Sequence, residues 1–273
     1  MDRLQQAIQK ARVERASRTL ETVRLTEEQR IVPEDTKNIW TALPEIKLDS
    51  KVVMRNRLLS YQGGHEAAPY DMLRTKMLQQ IRTNGWRRVA LTSPYSGCGK
   101  STTTANLAFS LGRQADLRVI VIDFDLRRMG LAEILGQSGT HSMADVIQGK
   151  VPFHDHAIRY GENLIFGLNY SLTYNPSEVL QSRRAIETLE QIEAVYHPDI
   201  VLFDTPPLMA SDDTHGLLKN MDCALLLAEA EKTSMNHIDL AERQLAELTN
   251  VMGIVLNKCR YASGAFGYEY DAY

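Results

Sequence analysis

Cysteine is scarce in this chain. Its three copies in 273 residues, Cys98, Cys223 and Cys259, have no metal-ligand spacing and cannot build a disulfide framework. That usage fits a reducing compartment. A long apolar run is also lacking: nothing approaches the roughly 18 consecutive apolar residues of a membrane helix, so no segment is expected to span a bilayer. Asp2, Arg3, Lys10 and Arg12 make the amino-terminal stretch too polar for a secretory signal. These absences together predict a cytoplasmic protein. Nor is there a basic excess; the net charge of −3 argues against a general nucleic-acid binder. Internal repeats and low-complexity tracts are missing too.

What remains is ordinary soluble composition and enough length for one sizeable α/β domain with extensions. Residues 1–30 read as a charged helix with a thin apolar stripe of Leu4, Ile8 and Ala11. Residues 31–66, with Pro33, Pro44 and the Gly63-Gly64 pair, read as an irregular linker wrapped on the domain and anchored by Val52-Val53 and Leu58-Leu59. A helix over Pro69 to Thr83 follows, carrying Leu73, Met77 and Ile81 on one face. Beyond Trp86 strands and helices alternate. The strand-like runs are Val89-Thr92, Arg118-Phe124, Asn163-Leu168, Ile200-Asp204, Cys223-Ala228 and Met252-Asn257. Helical runs are Ser101-Gln114, Met143-Gln148, Pro176-Tyr196 and Ser234-Thr249. Near-continuous apolar strands such as Val119-Ile-Val-Ile122 imply burial on both faces. The expected fold is therefore a doubly wound, mainly parallel sheet flanked by helices, with functional groups at the carboxyl ends of strands. The expected division is an extension over 1–66, a nucleotide-binding domain over 67–258 and a tail over 259–273.

The densest signal is Ser93-Pro-Tyr-Ser-Gly-Cys-Gly-Lys-Ser-Thr102, set between a strand and a helix. Gly97 and Gly99 let the backbone of Ser96 to Gly99, Cys98 included, close around anionic oxygens. The helix start then offers unpaired N–H groups, and Lys100 reaches the terminal phosphates. Ser101 stands where a hydroxyl ligates Mg²⁺ in other phosphate loops. Pro94 replaces the usual first glycine. Two apolar runs end in acids, Asp123 with Asp125 two residues on, and Asp204. Strand-end carboxylates behind a phosphate loop can hold a hard divalent cation and orient or deprotonate a nucleophile. Packing explains Cys98 more simply than redox control does, and His154-Asp-His156 reads as solvated loop rather than a metal pair.

With these motifs in this order, residues 68–258 resemble the bacterial tyrosine kinases of capsule and exopolysaccharide assembly, within the MinD/ParA-like phosphate-loop class. Further matching segments are Asn175-Pro-Ser-Glu-Val-Leu-Gln-Ser182, Asp204-Thr-Pro-Pro207 and Gly253-Ile-Val-Leu-Asn-Lys258. The resemblance implies an ATP- and Mg²⁺-dependent protein-tyrosine autokinase. It implies that Lys100 grips the β- and γ-phosphates, Thr102 the α-phosphate, and Ser101 the metal, with Asp204 supporting it through water. Asp123 and Asp125 would share metal orientation and activation of the tyrosine hydroxyl, either being the base. Arg127 would offset charge near the phosphates or the incoming tyrosine, and Asn257 would contact adenine. The expected partners are other copies of the chain and a transmembrane polysaccharide co-polymerase that supplies the only membrane contact.

Three departures bear on that implication. Tyr95 stands where MinD/ParA-like ATPases carry a second lysine, which favours the kinase over a dimer-activated switch or positioning ATPase. The tail forms no cationic amphipathic helix of the kind that anchors division-site ATPases. Of the Glu-x-x-Arg-x-x-Arg pattern that closes rings of subunits, the corresponding positions are Ala68, Asp71 and Arg74, so only the last arginine survives, and Met129 replaces a common proline. The tail itself holds four of the eleven tyrosines, Tyr261, Tyr268, Tyr270 and Tyr273, beside Glu269 and Asp271 and after the last basic residue, Arg260. These are the expected autophosphorylation sites. Each phosphate would add about −1.5 to −2 charge, so several on one acidic tail repel one another and weaken docking.

Overall fold

A computed structural model describes residues 34–210 and 212–260. The helix expected over 1–30 and the tyrosine-rich tail beyond Arg260 lie outside the described residues. Described residues from Ile39 onward form one compact unit. Among them no helix is long and apolar enough to cross a membrane.

Seven strands form one sheet: β1 (Arg88–Thr92), β2 (Val119–Asp123), β3 (Ile158–Tyr160), β4 (Leu164–Gly167), β5 (Ile200–Asp204), β6 (Cys223–Glu229) and β7 (Asn250–Asn257). Their order is β3-β4-β2-β5-β1-β6-β7. All neighbours run parallel except β3 with β4. Side chains alternate across the pleat, so each inner strand feeds two cores. Ile120 and Ile122 of β2 pack on one face, Val119 and Val121 on the other. The first face is covered by α7 (Met143–Ile147), α9 (Pro176–Leu180), α10 (Arg183–Tyr196), α11 (Asp213–Leu218) and α12 (Met235–Ala246). The second is covered by α4 (Ala68–Asn84), α5 (Lys100–Gly112) and α6 (Gly130–Leu135). This is the doubly wound sheet expected from the apolar runs.

Three local expectations need correction. The stretch 31–66 is not an irregular linker, because it contains α1 (Glu34–Thr41), α2 (Ser50–Arg55), α3 (Leu59–Gln62) and a short 3₁₀ turn at His65–Ala67. Its anchors include Leu58 as expected, but also Trp40, Leu43 and Ile46, all buried. The Trp40 indole N–H donates to Tyr196 O at 2.8 Å, and the two rings meet edge to face. Ile46 N and Arg159 N bond Arg159 O and Pro44 O, stitching this segment along β3. Secondly, the run Pro176-Tyr196 is two helices. Its break falls at Ser182, whose hydroxyl accepts from Ala185 N and caps α10. Thirdly, His156 ends α8 (Phe153–His156) buried, its ring hydrogen-bonded to Leu168 O, rather than solvated.

Arg74, the survivor of the ring pattern, is engaged within its own subunit. Its guanidinium donates to Ser110 O at 2.9 Å and pairs with Asp71, which Arg113 also contacts. That cluster ties α4 to α5.

Trp40→Ala removes a filled core position and leaves the Tyr196 carbonyl without its donor. We expect a loss of about 3–5 kcal/mol, read as a lower urea midpoint, with the phosphate-loop region still folded in the surviving native fraction.

Candidate functional site

The site is built where β1, β2 and β5 end. β1 stops at Thr92, and the chain turns through residues 93–99 into α5. Gly97 and Gly99 have φ of +91° and +90°, a region that glycine enters without strain. A Cβ at Gly99 would also stand 2.4 Å from Asn257 Nδ2. No side chain caps α5, so its first N–H groups face the crevice with the positive end of the helix dipole behind them. Lys100 opens that helix, largely buried.

Asp123 and Asp204 lie directly opposite each other in the β2–β5 register and are fully buried. Asp123 Oδ1 accepts from Asp125 N at 3.1 Å, so the chain turns at once rather than staying extended. The turn is pinned by Asn169, whose amide donates to Asp123 O at 3.0 Å. Asp204 Oδ1 accepts from Thr104 Oγ1 at 3.4 Å, and the Ser101 hydroxyl is near enough to favour its charged form. The second oxygens, Asp123 Oδ2 and Asp204 Oδ2, are buried without a partner. Buried polar atoms are rarely left so.

This arrangement is electrostatically loaded. Burial, then the neighbouring Asp204 and Asp125 carboxylates, holds Asp123 well above the usual carboxylate range. Burial also raises Asp204, to about 6, although Lys100 and the Ser101 hydroxyl oppose the shift. Asp125 is raised by burial against the pull of Lys100 and Arg128. Two orphaned carboxylate oxygens beside a serine hydroxyl are an all-oxygen donor set suited to a hard divalent cation such as Mg²⁺. A cation there would satisfy both oxygens and remove the like-charge penalty.

The crevice in front of the loop has a volume of about 600 Å³ and is lined by Gly97, Gly99, Lys100, Ser101, Thr102, Asp125, Arg127 and Arg128 among others. Beside it a second crevice of about 350 Å³ is lined by Ser96, Asp125, Arg127, Arg128, Pro206, Pro207, Ala210 and Asp212. Cys98 is buried. A larger groove of about 950 Å³ between Val146–His154 and α10 shares no residue with either, and has none of the loop's chemistry.

Two sequence candidates have partners the sequence did not disclose. Asn257 Nδ2 donates to Cys98 O at 2.8 Å, bracing the loop from the end of β7, and Lys258 Nζ reaches Gly97 O at 2.6 Å. Arg127 is paired with Asp213, Nε to Oδ2 at 2.5 Å and Nη2 to Oδ1 at 3.2 Å, and Ser177 also donates to that buried carboxylate. Asn169, Thr104, Asp213, Arg128 and Lys258 were missed as site residues. The available signal was a polar side chain just past an apolar strand, as at Asn169, or at a helix start, as at Asp213.

Fold and site define a phosphate-loop nucleotide-binding domain of the parallel α/β class. The chain belongs to the CobQ/CobB/MinD/ParA nucleotide binding domain family, which its residues 89–266 match. It is similar to the putative tyrosine-protein kinase AmsA of Erwinia amylovora, 28% identical over 81% of this chain and 31% of that relative. It is also similar to the tyrosine-protein kinase CpsD of Streptococcus agalactiae, 27% identical over 75% of this chain and 88% of that one. Among solved structures, the kinase domain of the Escherichia coli tyrosine kinase ETK superposes with a TM-score of 0.66 at 26% identity, covering 75% of this chain and 80% of that one. The chain spans about a third of the length of the first curated relatives it matches.

A raised carboxylate pKa stabilises the fold below the unfolded value and loses that contribution as pH climbs through the folded one. The nucleotide-free and metal-free protein should therefore lose stability as pH rises from about 4 through about 6, the value held at Asp204. Asp204→Asn is expected to raise the thermal midpoint at pH 8 while changing it little at pH 4, where the wild-type group is protonated. Scanning calorimetry with EDTA at both pH values checks this.

Proposed function

We propose that the chain is an ATP- and Mg²⁺-dependent protein-tyrosine kinase that phosphorylates tyrosines of its own tail, in another copy of the chain, in the control of capsule or exopolysaccharide synthesis. The observation that carries this reading is the position of Asp125. It stands 7% exposed on the wall shared by the phosphate-loop crevice and the smaller second crevice. One space suits a nucleotide and the other an incoming side chain, with a carboxylate between them.

In this reading Lys100 and the N–H groups of Ser96 to Gly99 hold the β- and γ-phosphates, and Thr102 the α-phosphate. Ser101 and Asp123 hold the metal, with Asp204 supporting it. A Mg²⁺ ion held by these residues would supply positive charge against the charge that develops as the γ-phosphoryl group leaves. Asp125 is the better base of the two strand-end acids, because Asp123 faces Asp204 and lines neither crevice. Its raised pKa lets the carboxylate take the phenolic proton as the tyrosine oxygen attacks. Asn257 keeps its proposed place beside the adenine, through the loop it braces. Tyr261, Tyr268, Tyr270 and Tyr273 are the proposed acceptors. A transmembrane activator would recruit the chain to the cytoplasmic face of the membrane.

The competing reading, a nucleotide switch without protein phosphorylation, is favoured by one observation. Arg74 is occupied by Ser110 and Asp71 inside its own subunit, which removes a ring contact that would present one copy's tail to the next. Incubation of the purified full chain with ATP and Mg²⁺, with and without an activator, followed by mass spectrometry of the tail, separates the two. The kinase reading predicts phosphate on Tyr268, Tyr270 or Tyr273 and its loss, by about a hundredfold or more in rate, in Lys100→Met. Released phosphate with unmodified tyrosines would replace it with the switch reading.

A further inference from the structure

The family resemblance implies Arg127 as the cation near the phosphates or the incoming tyrosine, but its geometry assigns Arg127 elsewhere. The Arg127 guanidinium is held by both oxygens of Asp213, a carboxylate with no exposed surface. Ser177, on α9, donates to the same carboxylate. Pulling Arg127 toward a phosphate would break a two-pronged ion pair on a fully buried carboxylate, which is costly. Left in place, the pair acts as a tether joining the turn after β2 to α9 and α11, with its charge already matched.

Its neighbour differs in how its side chain is engaged. Arg128 is exposed, and its side chain makes no ion pair or hydrogen bond among the described residues. Its backbone is fixed, because Arg128 N donates to Asp125 O at 3.0 Å in the turn that Asn169 pins. The residue lines both crevices, as Asp125 and Arg127 do, but with a guanidinium not already held by a carboxylate. A group travelling from one space to the other passes the wall formed by Asp125, Arg127 and Arg128, and of its two guanidinium groups only that of Arg128 is not tied to Asp213.

Resting on the phosphoryl-transfer reading above, we propose that Arg128, and not Arg127, is the catalytic cation that contacts the γ-phosphoryl group in transit. The tyrosine oxygen forms the new bond to the γ-phosphorus, and the bond from that phosphorus to the β,γ-bridging oxygen breaks. ADP leaves with the electron pair, and the phenolic proton passes to Asp125. Negative charge spreads over the three non-bridging oxygens during this step. A flexible guanidinium anchored at its backbone meets them where the charge develops, which lowers the barrier more than it tightens ground-state binding. Arg127 is a positioning residue that holds the turn.

The test compares ADP with ADP plus aluminium fluoride, a mimic of the transferring group, by calorimetry on the full-length chain with Mg²⁺. The wild type is expected to bind the fluoroaluminate complex at least roughly tenfold tighter than ADP alone. Arg128→Gln should bind ADP like the wild type and lose the fluoroaluminate gain, while Arg128→Lys recovers part of it. Tail phosphorylation should fall about a hundredfold or more in Arg128→Gln. Arg127→Gln should instead lower the unfolding midpoint and keep most of the gain in its folded fraction. A wild type without the gain, or Arg128→Gln that retains it, overturns the assignment. A chain that releases phosphate without labelling tyrosine sinks the kinase reading alone, since the fluoroaluminate contrast still decides the role of Arg128.

Discussion

Two carboxylates set opposite each other on adjacent buried strands govern the rest of this molecule. Asp123 and Asp204 are neighbours in register, fully buried, and each keeps one oxygen without a partner. Like charges in that position oppose folding unless a proton or a cation intervenes. The surrounding structure is arranged to tolerate them: Lys100 and the Ser101 hydroxyl favour the charged form of Asp204, and the backbone N–H of Asp125 donates to Asp123. A strained pair of acids behind a phosphate loop is stability given up at the place where a metal nucleotide would return it on binding.

The supporting scaffold explains how such a pair can be held. β2 and β5 are inner strands of a parallel sheet, covered on both faces, so their ends cannot relax toward water. Past the strand ends, each turn is fastened by a residue distant in sequence. Asn169 grips the turn after β2, Asp213 holds Arg127 of the same turn, and Asn257 and Lys258 grip the phosphate loop from β7. The loop and the acids are thus fixed independently of any bound group, which is the preorganisation that phosphoryl transfer demands.

Much of this was legible in the sequence because it is local. Val119-Ile-Val-Ile122 and Ile200-Val-Leu-Phe203 have to be buried strands, and an acid at the end of each has to sit at the sheet's carboxyl edge. The phosphate loop announces itself by glycines at two positions where φ is positive. What was illegible depends on partners far along the chain. Trp40 is an anchor only because Tyr196 lies beside it, so the segment around it read as linker. β3 is three residues long and exists by pairing with β4, too short for a periodic signal. The break at Ser182 lies inside one continuous helical pattern, and only its capping bond reveals it. Arg127 and Arg128 are indistinguishable as letters; Asp213, 86 positions away from Arg127, is what separates them.

The central claim is that this site holds ATP through a cation shared by Ser101 and the paired aspartates. Isothermal titration of ATP into the full chain, with Mg²⁺ and then with EDTA, addresses it most directly. The account predicts binding with Mg²⁺ and an affinity at least roughly tenfold weaker without it. Equal affinity in both conditions, or no heat at millimolar ATP, would contradict it.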